Sequence, residues 1–332
     1  MPTASAQKPE TNAQAEYAKR ARGAYLGLAV GDALGATVEF LTPREIRCNF
    51  ARQGGVHKEI AGGGWLHLRP GQVTDDTAMS LALGEAILAN GGKVEALASA
   101  LAFDRWMHAK PIDIGNTVRR NLIRFRQTGI PEAPESEHDA GNGAVMRLLP
   151  VALCTVGRGE AEIIAALKAQ AHVTHNNPIS DAGCLCLTRM LHLALRGGAR
   201  AALEAEAMAL ESIRPEYAWS EAGRMRMRRR ENPSAYVAHT LAAVFQAFFS
   251  TDGFESCLID VVNRGGDADT TGAIAGALAG AWYGENQIPP RWKNALDKTI
   301  ARRCEEQAEA LGIRSQESEN SRERRPEMNE KP

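Results

Sequence analysis

Apolar residues recur along this chain at the three- and four-residue spacing of a helix face. Leu81, Leu83, Ala86, Ile87 and Leu88 mark one amphipathic helix, and Leu97, Leu101, Phe103 and Trp106 a second. Ile163, Ile164, Leu167 and Ala171 mark a third, and Leu185, Met190, Leu191 and Leu195 a fourth. Alanine and leucine dominate these stretches, whereas alternating β-branched runs are almost absent, so the pattern predicts an all-α fold. No fixed-period repeat and no internal linker interrupts it, which predicts a single domain over residues 17–312. The flanking stretches 1–16 and 313–332 are polar and poor in apolar residues, and are expected to be disordered tails.

Two segments carry glycine at every fourth position. Gly272, Gly276, Gly280 and Gly284 punctuate an alanine-rich helix, and Gly23, Gly27, Gly31 and Gly35 punctuate another near the N-terminus. Small residues at that spacing predict unusually close helix approach. The second segment is no dinucleotide fingerprint, because its spacing is not G-x-G-x-x-G and neither a preceding strand nor a βαβ context is present.

The chain has 332 residues, 44% of them hydrophobic and 24% charged, which is ordinary for a globular protein with a large core. A formal net charge of -1 provides no global field for nucleic acid or an anionic membrane, and neither is expected as a partner. The six cysteines show only one close pair, Cys184 and Cys186, which matches neither a zinc knuckle nor a thioredoxin motif; they read as reduced core thiols. With no apolar leader and no membrane-length apolar run, a cytoplasmic location without membrane insertion is expected.

The chemistry is concentrated in two runs almost two hundred residues apart, Val73-Thr74-Asp75-Asp76-Thr77 and Asn263-Arg264-Gly265-Gly266-Asp267-Ala268-Asp269-Thr270-Thr271-Gly272. Carboxylate and hydroxyl oxygens are hard donors suited to Mg2+ or Mn2+. Asp and Thr are also preferred helix N-caps, and each run precedes a helical pattern, so capping is the competing explanation. One Asp would cap adequately. Four carboxylates in two short runs exceed that need, and like charges so close repel unless a cation lies between them.

Together the Gly23-Ala24-Tyr25-Leu26-Gly27 opening, Thr74-Asp75-Asp76-Thr77, Gly141-Asn142-Gly143-Ala144-Val145-Met146-Arg147, Thr174-His175 and the Gly265 to Thr271 run resemble the ADP-ribosylglycohydrolases, over about residues 21–311 and with the motifs in the expected order. Segments such as Ala61-Gly62-Gly63-Gly64-Trp65 and Ile288-Pro289-Pro290-Arg291-Trp292 resemble the subgroup found in nitrogen-fixing bacteria. The resemblance implies an all-helical orthogonal bundle with a binuclear centre of two divalent cations, Mn2+ first and Mg2+ as the alternative. By that likeness Thr74, Asp75 and Asp76 hold one ion, Asp267 and Thr270 the other, and Asp269 bridges both. The implied reaction removes ADP-ribose from a modified arginine of the nitrogenase iron protein, with a PII signalling protein as a further implied partner.

For proton transfer the likeness points to Asp113 in Pro111-Ile112-Asp113-Ile114-Gly115-Asn116, with Glu39 as the second carboxylate and a helix cap as the plain alternative for Asp113. Gly115, Asn142, Gly143 and His175 are expected to line the substrate site, the Gly-Asn-Gly backbone cradling a pyrophosphate or forming a plain turn. Of His172 and His175, which lack an H-E-x-x-H context, one is expected to be a satisfied interior histidine. Tyr236 is expected either to stack on adenine or to belong to the core. Asn116 and Arg264 depart from the subgroup's usual residues, and are expected to tune substrate contacts. The basic run Arg224 to Arg230 is either a solvated face or a docking loop for an acidic protein surface.

Overall fold

The computed structural model of the protein describes residues 9–220 and 229–323, with side chains over 13–220 and 229–312. In chain order its α-helices are α1 (Pro9–Gly35), α2 (Pro43–Asn49), α3 (Asp75–Ala89), α4 (Ala96–His108), α5 (Asn116–Thr128), α6 (Leu149–Thr155) and α7 (Glu160–Ala171). They continue with α8 (Pro178–Leu195), α9 (Arg200–Ile213), α10 (Val237–Ser250), α11 (Phe254–Val262), α12 (Ala268–Tyr283), α13 (Pro290–Ala295) and α14 (Lys298–Glu323). Among the described residues β-structure is limited to two isolated bridges, Gly63 with Leu68 and Gly141 with Tyr236. The all-α expectation holds, and no helix among these residues is long and apolar enough to cross a membrane.

Helix α12 runs through the centre, buried from Ala268 to Ala281. The two glycine stripes meet there: α1 and α12 lie antiparallel with Gly23 against Gly280, Gly27 against Gly276 and Gly31 against Gly272. A Cβ placed on Gly31 would lie 1.9 Å from the Gly272 carbonyl oxygen, and one on Gly27 would lie 2.1 Å from that of Gly276. Only glycine permits this backbone contact. The stripe on α1 continues with Gly35 against Ala268, and Gly284, whose carbonyl carbon would lie 2.8 Å from a Cβ on Gly23, ends α12 at φ 79°. Helix α14 crosses behind, where Gln307 accepts a hydrogen bond from the Tyr25 hydroxyl at 2.7 Å and donates one to the Leu81 carbonyl at 2.9 Å.

Two sequence expectations need correction here, on the face of α4 and on Cys48. Apart from these, helix α1 begins at Pro9 and α14 ends at Glu323, so both helices run past the domain bounds expected from the sequence. Prolonging a formed helix needs no new nucleus, and the Ala, Glu, Gln and Arg residues there favour it. In α4 the buried face is Ser99, Ala100, Ala102 and Phe103, while Leu97 and Leu101 are exposed; size alone misassigned that face. Cys48 is exposed, whereas the other five thiols are buried, and all six are free.

Candidate functional site

Both aspartate runs stand at helix beginnings, and the glycine contact brings those beginnings together. Asp75 and Asp76 open α3 behind Thr74, and Asp267 precedes α12, whose first turn holds Asp269 and Thr270. The runs touch directly, with Thr270 Oγ1 donating to Asp76 Oδ2 at 3.3 Å. Neither Thr74 nor Asp267 makes a side-chain capping bond to its helix, so capping does not account for them.

Glu39 joins this group from the turn after α1. Its segment is stitched to the second run by Phe40 N–H donating to the Gly266 carbonyl at 2.7 Å and Gly266 N–H donating to the Leu41 carbonyl at 3.0 Å. Gly265 and Gly266 adopt φ of 71° and 66°, and a Cβ on either would strike the Leu41 or Pro233 carbonyl. That explains the paired glycines before Asp267. Oxygens of Glu39, Asp267 and Asp269 lie within 4.8 Å of one another.

Asp32 is a buried carboxylate behind the site that the sequence reading did not single out. Fully buried on α1, its carboxylate accepts from Thr74 N–H at 3.0 Å, Thr77 N–H at 3.1 Å and the Thr77 hydroxyl at 2.5 Å. It therefore clamps the first turn of α3 and aims Asp75 and Asp76. The available signal was one carboxylate in the apolar stretch Ala29-Val30-Gly31-Asp32-Ala33-Leu34.

A cleft of about 460 Å³ opens over these carboxylates, a size that suits a small-molecule ligand. Asp75, Asp113, Glu39, Asp267, Asp269 and Thr270 line it together with Gly115, Asn142, Gly143 and His175. Thr74 and Asp76 lie buried behind that surface, the Thr74 hydroxyl standing 3.0 Å from Asp32 Oδ1 and 3.1 Å from Asp76 Oδ2. Asp113 precedes α5 but does not cap it: Gly115 is the N-cap, and Asp113 Oδ1 accepts only the N–H of its neighbour Ile114.

The Gly-Asn-Gly segment has a different geometry from a simple anion cradle. Asn142 N–H donates to the Ala235 carbonyl, and its amide donates to Thr240 and, at 2.5 Å, to Asp267 Oδ2. Asn142 thus orients a cluster carboxylate. The flanking glycines admit the His175 ring, since a Cβ on Gly143 would lie 2.5 Å from His175 Cε1. His175 Nδ1 lies 2.8 Å from the Thr174 hydroxyl, which also accepts from buried Arg147. His172 is the satisfied one, 3.0 Å from Asp181.

Tyr236 stands beside the cleft, with Ala235 in the lining and the Tyr236 ring edge-on to His239. Asn116 lines the cleft, but Arg264 turns away to bind Asp260 at 2.8 Å and Gln246 at 2.8 Å, so the expectation that it tunes substrate contacts fails. Most of the basic run, residues 224–228, lies outside the described residues; Arg229 pairs with Asp260, and Arg230 N–H donates to Gln246.

Burial dominates the electrostatics. Burial, reinforced by neighbouring carboxylates, pushes Glu39 and Asp75 up to about 8, and burial pushes Asp32 to about 6 against its four hydrogen-bond donors. Asp76 and Asp269 are raised well above the usual carboxylate range by the same causes, and Asp267 is raised by burial. Burial lowers His175 to about 3, so its imidazole is neutral at physiological pH. One oxygen, Asp76 Oδ1, is buried with no hydrogen-bond partner. An orphaned carboxylate oxygen among hard oxygen donors is what a divalent cation would satisfy, and the residues present fit such an ion.

The family model for ADP-ribosylglycohydrolase matches residues 13–321. The chain belongs to the ADP-ribosylglycohydrolase family. It is 48% identical over 292 residues to an ADP-ribosyl-[dinitrogen reductase] glycohydrolase of Rhodospirillum rubrum, covering 88% of this chain and 95% of that relative. Identity is 35% over 283 residues to an ADP-ribosylarginine hydrolase of Pseudomonas putida, covering 82% and 73% of the two chains. A solved structure described as an ADP-ribosylglycohydrolase-related protein complex superposes with a TM-score of 0.77 at 37% identity, covering 91% of this chain and 99% of the other. The fold and family expected from the motifs are therefore correct.

Proposed function

We propose that this protein is a metal-dependent hydrolase that releases ADP-ribose from a modified arginine of dinitrogenase reductase. The observation that carries the proposal is the convergence of two distant aspartate runs on one cleft, with a buried carboxylate oxygen of Asp76 left unpartnered. The names of the relatives from Rhodospirillum rubrum and Pseudomonas putida supply the linkage and the target. The proposed compartment is the cytoplasm, where the six free thiols would stay reduced. A PII protein as a second partner rests on the family resemblance alone.

In this proposal Thr74, Asp75 and Asp76 would hold one divalent cation and Asp267 and Thr270 a second, with Asp269 serving both and Mn2+ the preferred metal. When bound, the pair would grip the ribose hydroxyls and withdraw electron density from the sugar. The chain's own groups carry the remaining work. Asp113, facing the cleft without a competing side-chain partner in its hydrogen bonds, takes the proton of the attacking water. As the bond between ribose C1 and the guanidinium nitrogen breaks, its electron pair leaves with nitrogen and water oxygen bonds to C1. The proton held at Asp113 then passes to the departing guanidine. His175, neutral and fixed by Thr174 and the two glycines, positions ligand by hydrogen bonding without adding charge.

Matched arginine-linked and serine-linked ADP-ribosyl substrates test the linkage. Faster release from arginine is expected; release from serine alone contradicts the proposal.

A further inference from the structure

Among the described residues, the exposed large hydrophobics include just two aromatic side chains, Phe40 at 61% and Trp65 at 50%, and both line the cleft. Their ring centroids are 5.4 Å apart with planes at 47°. Each is presented by unusual backbone. Phe40 has φ 62°, which a bulky residue adopts only against a steric cost, and its N–H is fixed on the Gly266 carbonyl at 2.7 Å. Trp65 stands on a tight loop closed by reciprocal hydrogen bonds between Gly63 and Leu68, with Gly62, Gly63, Gly64 and His67 all at positive φ. The Gly64 backbone is pressed so close to the turn after α1 that a Cβ there would lie 2.3 Å from the Ala36 carbonyl oxygen.

Two exposed rings and a strained residue at one place are costs that folding alone does not explain. Their position supplies a reason. Trp65 Nε1–H donates to Glu39 Oε2 at 2.6 Å, and Glu39 in turn is part of the carboxylate group with Asp267 and Asp269. The platform thus stands at the solvent edge of the site, beside the place where the scissile bond would lie. A modified arginine enters from solvent because it remains attached to a folded protein. Its guanidinium is planar, cationic and weakly hydrated, and stacks well on an indole face.

We propose that Trp65, buttressed by Phe40, stacks on the guanidinium of the modified arginine, a contact that a serine linkage does not offer. This specificity contact rests on the hydrolase function proposed above. Its test uses the Mn2+-loaded enzyme, ADP-ribosylarginine as substrate and free ADP-ribose as competitive inhibitor, with circular dichroism and thermal unfolding to verify the fold of each variant.

Trp65→Ala is expected to lower kcat/KM on ADP-ribosylarginine roughly five- to thirty-fold, mainly through KM, as loss of one cation–π contact would. The inhibition constant of ADP-ribose should stay within about twofold, an effect on the order of 0.4 kcal/mol. Trp65→Phe, which keeps a ring but removes the bond to Glu39, should retain most of the activity. Equal weakening of ADP-ribose would mean that the platform holds the nucleotide, and overturns the proposal. So would a loss in Trp65→Phe as large as in Trp65→Ala, which would assign the effect to Glu39. Unchanged turnover in Trp65→Ala removes the guanidinium contact alone, whereas a wild-type enzyme that releases nothing from the arginine substrate removes the hydrolase function as well.

Discussion

Replacing Gly31 with alanine tests how the fold assembles the site. The added Cβ would lie 1.9 Å from the Gly272 carbonyl oxygen, 2.4 Å from its carbon and 3.0 Å from the Ala273 nitrogen. An unstrained contact needs about 3.5 Å, so α1 and α12 must part by about 1.6 Å or bend. Overpacking of this kind costs ~1–3 kcal/mol, and backbone on both sides puts this case at or above the upper end. Better helix propensity returns ~1 kcal/mol, leaving a net loss on the order of 2 kcal/mol. Gly272 is one turn from Asp269, so the displacement also pulls the second aspartate run away from the first, and metal affinity should fall about tenfold or more. Gly23→Ala meets a comparable obstruction, 2.4 Å from the Gly280 oxygen, but at the far end of the contact. It should destabilise similarly while disturbing metal binding less. Chemical denaturation and Mn2+ titration measure the two effects. Unchanged stability in Gly31→Ala, or equal losses of metal affinity in both variants, would refute the reasoning.

Asp269→Ala should abolish binding of both cations and catalysis together, while the metal-free protein gains thermal stability because one crowded carboxylate is gone; elemental analysis and calorimetry would show otherwise if two ions remained bound. Asp32→Asn, which places an amide against the N–H groups of Thr74 and Thr77, should weaken metal binding ~10–100-fold with the helical fold retained by circular dichroism. The site also predicts a pH dependence. Glu39 and Asp75 at about 8 and Asp32 at about 6 hold protons in the metal-free fold that the unfolded chain releases near pH 4. Metal-free stability from these groups is therefore fully present only below about pH 4 and falls as pH rises from there through about 6 for Asp32 and about 8 for Glu39 and Asp75, and the stabilisation by added Mn2+ grows over the same range. Thermal unfolding with chelator and with Mn2+ reads both trends, and a metal-free melting temperature that climbs from pH 5.5 to 8 contradicts them.

Much of this molecule was legible before its structure. The glycine stripes announced close helix contact, and the surplus of aspartates over capping needs announced a cation site. What the stripes did not reveal was that each was the other's partner, because register between distant helices is set by three-dimensional packing. Asp32 escaped notice because its role depends on Thr74 and Thr77, which approach it only in the fold. Leu97 and Leu101 misled because the buried face of helix α4 is formed by Ser99, Ala100, Ala102 and Phe103, three of them small, and both leucines fall outside it. Trp65 and Phe40 carried no periodic signal, since loops with left-handed backbone present them. Arg264 was expected to tune substrate contacts because it departs from the subgroup's usual residue, whereas its side chain follows α11 back to Asp260.

The most direct measurement of the central claim is release of ADP-ribose from arginine-ADP-ribosylated dinitrogenase reductase, with the protein as isolated, after chelation, and after addition of Mn2+. The account predicts release that chelation abolishes and Mn2+ restores, with no restoration in Asp269→Ala. Release that persists without metal, or none under any of these conditions, would contradict it.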